Sequence, residues 1–151
     1  MKVFSIYRVG DVGVILAMWM SHHLWNANVT FNQIDHASSM TQVLSEHSAM
    51  GVFIALSILV TAAAKSAQFP FSSWLPRAME GPTPSSAIFY GSLSVHLGVF
   101  LLLRTFSIWE SQLTARWLIG AIGLITAIVA SGIARVQSSI KAQIAYGSAA
   151  Q

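Results

Sequence analysis

The chain has 151 residues, 54% of them hydrophobic and 9% charged, with eight Lys and Arg against five Asp and Glu and a formal net charge of +3. Soluble domains carry about 25% charged residues, so charge this sparse cannot cover a surface facing water, and a basic excess this thin is no nucleic-acid footprint, which needs Lys and Arg clustered on one face. Cysteine is absent, which excludes a disulfide framework and a thiolate metal centre.

A membrane-spanning helix needs about 20 mostly apolar residues. The first such stretch is residues 9–25, with 12–20 as its uncharged centre. Lys2 and Arg8 ahead of a short apolar core imitate a secretory leader, but Asp11 interrupts the core and no small-residue cleavage site follows Met20. Arg8 and Asp11 stand three apart, the spacing of an ion pair at a helix mouth. Residues 21–47 contain no Lys or Arg, which suits a translocated loop. The Asn28-Val29-Thr30 acceptor pattern there is too short to carry weight. His22, His23, His36, His47, Asp35 and Glu46 show no recurring ligand spacing, so no metal site is expected.

Further spans are expected at residues 48–71, 85–103 and 113–133. A last helix opens at residue 136 with roughly 16 residues left, close to 24 Å of helix and short of a full crossing. The expected architecture is therefore all-α, a polytopic transmembrane helix bundle of about four spans plus the start of a fifth, and the chain reads as a truncated portion. Lys2, Arg8, Arg77 and Arg135 fall on one side against Arg104 and Arg116 on the other, which favours a cytoplasmic N-terminus. Lys65 and Lys141 are left out of that count as candidates for the membrane interior. Trp19, Trp25, Trp74, Trp109 and Trp117 lie mostly near span ends and read as an interfacial belt.

Residues 65–104 hold the chemistry. The helix through Lys65 meets Phe69-Pro70-Phe71, and Pro70, lacking a backbone donor, should break it. Residues 72–80 then form a short second piece, and Gly81, Pro82, Thr83 and Pro84 a turn. A discontinuous helix survives at membrane depth only where protein or a water-filled cavity takes up the freed backbone groups, and such breaks commonly mark transport sites. The pattern also allows a plainer reading, in which the membrane ends at Lys65 and its amine snorkels to the headgroups. His96 stands about 16 Å along a helix starting at Ser85, near the bilayer centre. It shares a face with Ser85 and Ser92. An imidazole there can relay protons near neutral pH or pack as a neutral hydrogen-bonding group; the expense of intramembrane ionisable groups favours the relay.

The run KSAQFPFSSWLPRAMEGPTPSSAIFYGSLSVHLGVFLLLR, residues 65–104, resembles the core signature of the large antiporter-like membrane subunits of complex I and of Mrp cation/proton antiporters. YRVGDVG, residues 7–13, is similar to the start of an earlier helix of that family, and ARVQSSIKAQIAYGSAAQ, residues 134–151, to the opening of a later one. Members have many more helices, so the chain would correspond to a middle portion of a proton-conducting domain. The resemblance implies that Lys65 takes up and releases a proton near mid-membrane, that Lys141 belongs to the same polar axis, and that Pro70 and the turn of Gly81, Pro82 and Pro84 are the break and its connection. The glutamate that pairs with the broken-helix lysine in the family is expected upstream of this chain, since Glu46 and Glu80 do not match it. Two positions depart from the complex I pattern: Arg77 replaces an acidic residue, and Tyr90 replaces a histidine, with His96 further along.

These readings imply a proton-translocating subunit of an NADH:quinone oxidoreductase-like or Mrp-type complex in a bacterial inner membrane, working with other membrane subunits. The departures keep open a related branch, the membrane half of two-component inorganic carbon accumulation systems, which pairs with a soluble zinc protein. No haem axial pair, iron-sulfur set, nucleotide loop or nucleophile triad is evident, so no cofactor, redox step or hydrolysis is expected in the chain itself.

Overall fold

The computed structural model describes residues 2–26, 30, 44, 46–86 and 93–151. The acceptor residues Asn28 and Val29, the loop residues Asp35 and His36, and Tyr90 and Ser92 lie outside the described residues. Every regular element among those described is helical: α1 Lys2–Trp25, α2 Ser48–Lys65, a 3-10 turn Phe71–Trp74, α3 Leu75–Ala78, α4 Thr83–Ser86, α5 Val95–Arg104, α6 Phe106–Glu110, α7 Leu113–Val136 and α8 Ile140–Ala150. Three of them are long and apolar enough to cross a membrane: Val3–Trp25, Ser48–Lys65 and Leu113–Val136. Of the span expected at 85–103, the described second part is the ten-residue apolar helix α5.

α2 is the central helix. Just over half of its apolar window is buried inside the bundle, whereas α1 and α7 turn Val12, Ile15, Met18, Leu124 and Ile128 outward. Outward apolar surface on that scale is stable against lipid or protein and not against water. α1 begins at Lys2, seven residues before the expected start. Gly10 and Gly13 do not weaken it, because they are where α2 comes closest: a Cβ on Gly10 would meet Ala64 Cβ at 3.3 Å, and one on Gly13 would meet the Ser57 carbonyl at 2.8 Å. Small residues let helices approach in lipid, where apolar burial supplies little association energy. The Thr61 hydroxyl then reaches across, its one hydrogen shared between the carbonyls of Gly10 (3.1 Å) and Ser57 (2.9 Å).

Two apolar clusters stack along the bundle. Ala17, Leu44, Ile54, Ile58, Ala62, Leu102 and Ile108 fill one end. Ala67, Trp74, Leu75, Met79, Val95, Ala130, Ala145 and Ala149 fill the other, with Val3, Ile6 and Tyr7 packed against them. The start of α1, the end of α7 and the second half of α8 therefore meet on one side.

Between the clusters α2 stops. It ends at Lys65, short of the expected residue 71, because the residue before a proline avoids the helical region and the chain has already turned at Ala67, which adopts a left-handed φ of 55°. The Gln68 amide bonds back to the Ala63 carbonyl at 2.9 Å, the longer closing bond of a Schellman cap. The Ala64 carbonyl accepts from the Trp74 indole at 3.0 Å. Trp74 is thus fully buried and not part of an interfacial belt: its N–H has a partner inside the protein, which removes the reason to reach for headgroups.

Candidate functional site around Lys65

Depth follows from the intact neighbours. Asp11 lies nine residues into α1, about 14 Å along it, and the Lys65 ammonium is 2.8 Å from the Asp11 carboxylate. On the other flank the Phe69 amide donates to Thr126 Oγ1 at 3.0 Å. Thr126 is ten residues before the end of α7, about 15 Å in from the same side. Both distances are near half of a hydrocarbon core about 30 Å thick. The break at residues 66–70 therefore sits inside the span of its neighbours. A snorkelling Lys65 would instead lie level with their ends.

Lys65 is enclosed more by protein than by open surface, its side chain 19% exposed against 43% for Asp11 and 66% for Arg8. Its ammonium lies 4.5 Å from the centroid of the Tyr7 ring. Arg8 Nη1 is 3.9 Å from Asp11 Oδ2, so Asp11 faces two cations, and Lys65 is much the closer. Tyr7 is held in turn by an edge contact with Trp74, ring centroids 5.0 Å apart, and by a hydroxyl bond to Ser94 just before α5. The freed backbone at the break finds partners in Trp74, Thr126 and the cap, which meets the requirement on irregular backbone at membrane depth.

The other expected site residues lie elsewhere. His96 is exposed on α5, while Val95, Gly98 and Leu102 face inward. Gly98 is the contact point with α2: a Cβ there would meet the Ala62 carbonyl at 2.5 Å. His96, two residues earlier and so about 200° round the helix, looks away from Lys65. Lys141, the second residue of α8, is exposed and donates to the Gly81 carbonyl at 3.2 Å. That bond ties α8 to the Gly81-Pro82 connection; Pro84, expected in the same turn, is instead in the short helix α4. Lys65, His96 and Lys141 thus occupy three separate places. Among the described residues no three His, Asp or Glu side chains gather as a metal site would need.

The sequence reading missed Asp11 as the partner of Lys65, along with Tyr7, Ser94 and Trp74 around them. One signal was available for Asp11: a carboxylate inside a long apolar helix is costly unless paired, and so is an intramembrane lysine.

The whole chain, residues 1–151, matches the family described as NADH:quinone oxidoreductase/Mrp antiporter, TM. It is 37% identical over 150 residues to NADH-ubiquinone oxidoreductase chain 5 of Metridium senile, covering 99% of this chain and 24% of that protein. It is 38% identical over 146 residues to the same chain of Felis catus, covering 95% and 22%. It is 35% identical over 156 residues to the chloroplastic NAD(P)H-quinone oxidoreductase subunit 5 of Liriodendron tulipifera, covering 99% and 20%. The chain thus spans about a quarter or less of the length of these relatives. With a helical, membrane-spanning architecture and a match that runs from the first residue to the last, the chain belongs to the NADH:quinone oxidoreductase/Mrp antiporter transmembrane family.

Proposed function

We propose that residues 1–151 form part of a proton-translocating membrane subunit of an NADH:quinone oxidoreductase-like or Mrp-type complex, with Lys65 as the group that exchanges a proton at mid-membrane. The observation that carries this reading is the Lys65–Asp11 contact at the break of α2. A buried amine is driven toward its neutral form by desolvation and toward its charged form by a nearby carboxylate, so small movements of the pair change its proton occupancy. A discontinuous helix supplies such movement, because its cap and short second piece can shift without unwinding a whole span. The ammonium gives up its proton to a neighbouring acceptor as Asp11 withdraws, and the neutral amine takes another as it returns.

His96 and Lys141 extend this into a polar axis. His96 faces away from α2, so exchange with Lys65 runs through intervening groups. Lys141 lies beside the Gly81-Pro82 connection, on the side where α1 begins and α7 ends. That side carries Lys2, Arg8, Arg77 and Arg135, an excess that supports a cytoplasmic N-terminus. Other membrane subunits cover the outward apolar faces of α1 and α7 in this reading, with lipid over the remainder.

The names of the relatives favour the oxidoreductase branch over inorganic carbon accumulation. The test is to purify the intact complex from its native membrane, identify the co-purified proteins and measure proton movement in liposomes. Quinone-reactive and hydrogenase-like subunits with proton movement are expected. A soluble zinc protein as the stable partner would overturn the assignment in favour of the carbon system.

A further inference from the structure

Tyr7 touches three groups around the Lys65 site: the Lys65 ammonium, Trp74 and Ser94. The ring presents its face to the Lys65 ammonium at 4.5 Å, inside the range where a cation is attracted to an aromatic quadrupole. The ring makes a T-shaped contact with buried Trp74, whose indole holds the Ala64 carbonyl one residue before Lys65. The hydroxyl bonds Ser94, which leads into α5 two residues before His96. One side chain of α1 thereby meets α2, the second piece of the broken helix and the helix bearing His96.

We infer that Tyr7 is a positioning residue for Lys65: its ring face holds the ammonium beside Asp11, and its hydroxyl, fixed by Ser94, ties that arrangement to α5. The inference deepens the reading of Lys65 as the proton-exchanging group and rests on it. The ring offers the ammonium a second favourable contact that does not depend on Asp11, so the charged amine keeps a place when the carboxylate withdraws. Asp11 and Tyr7 are four residues apart on α1 and so share a face. Any rotation of α1 moves both contacts together. The Tyr7–Ser94 bond makes such a rotation felt at α5. A displacement at the Lys65 site is then transmitted to the His96 helix through Tyr7 and Ser94, with no direct contact between Lys65 and His96.

The test uses the full-length subunit in its assembled complex, reconstituted in liposomes, with proton flux per assembled complex read by a pH-sensitive dye. Four substitutions are compared with the parent: Tyr7→Phe, Ser94→Ala, the two combined, and Lys65→Ala. Phenylalanine carrying one, two or three ring fluorines is also placed at position 7, which weakens the quadrupole while nearly preserving shape. Tyr7→Phe and Ser94→Ala should each reduce flux by about two- to tenfold, and the pair by no more than either alone, because both remove one hydrogen bond. Flux should fall further with each added fluorine, reaching about three- to thirtyfold below Tyr7→Phe.

Equal flux across the fluorine series overturns the ring-face role, and so does a series in which assembly falls while flux per complex stays constant. Additive losses in the double variant overturn the tie to α5. Lys65→Ala separates the levels. Parental flux in that variant removes the reading of Lys65 itself. An inactive Lys65→Ala alongside a flat fluorine series removes only the role of Tyr7.

Discussion

Lys65 and Asp11, 54 residues apart in the chain, meet at 2.8 Å where α2 ends against the middle of α1. Arg8, on the same helix as Asp11, stays 3.9 Å away and mostly exposed. The lysine is therefore the main partner of that carboxylate, and the pair lies inside the length of α1, away from its ends.

Asp11→Asn keeps the shape of the side chain and removes its charge. The amide still accepts one hydrogen bond from Lys65 but no longer compensates the ammonium. Coupled proton flux should fall by about tenfold, as expected for loss of a charge-assisted bond. Arg8→Gln, at an exposed and more distant position, should change flux less than twofold. The comparison is read by dye quenching in vesicles holding equal amounts of assembled complex.

Thr126→Val tests whether the break is held in place from α7. Valine matches threonine in size, so packing survives, but the Phe69 amide loses its acceptor. An unpaired backbone donor away from water costs about 1–3 kcal/mol. The expected outcome is a lower unfolding temperature in detergent and faster exchange of the Phe69 amide, while Thr126→Ser restores both.

Gly98→Ala tests the α2–α5 contact. A methyl group there would sit 2.5 Å from the Ala62 carbonyl and 2.9 Å from Ser66 Cβ. Overpacking of this kind typically costs about 1–3 kcal/mol. The substitution should lower the yield of folded protein, measured by gel filtration, whereas Gly123→Ala, with open space around it, should leave yield unchanged.

His96 is tested by two substitutions that separate titration from hydrogen bonding. If it relays protons, His96→Phe fills the space without titrating, and His96→Gln keeps hydrogen bonds without changing charge near neutral pH. Both should assemble and both should slow flux. Near-parental flux with Gln combined with misassembly with Phe would assign a packing role instead. Its exposed position on α5 makes tolerance of Phe the expected structural outcome.

The break of α2 was legible because its cause is local: Pro70 lacks a backbone donor and disfavours a helical Phe69 whatever surrounds it. The small-residue contacts of Gly10, Gly13 and Gly98 were not, since a glycine in an apolar run reads as tolerated and only the neighbouring helix gives it a purpose. Asp11 was read with Arg8, three residues away, because short-range spacing is visible in a sequence and a contact across 54 residues is not. The family resemblance puts the carboxylate for Lys65 upstream of the chain, whereas the structure gives the lysine one on α1. Trp74 was placed with the interfacial aromatics on position alone. Its burial follows from the Ala64 carbonyl that the break leaves free.

Lys65→Ala in the full-length subunit within its assembled complex tests whether Lys65 exchanges the translocated proton. Complex content is verified by native gel, and proton movement across proteoliposomes is followed with a pH-sensitive dye under an imposed potential. Normal assembly is expected, with coupled flux reduced to near that of empty vesicles. Parental flux through a correctly assembled Lys65→Ala complex would contradict it.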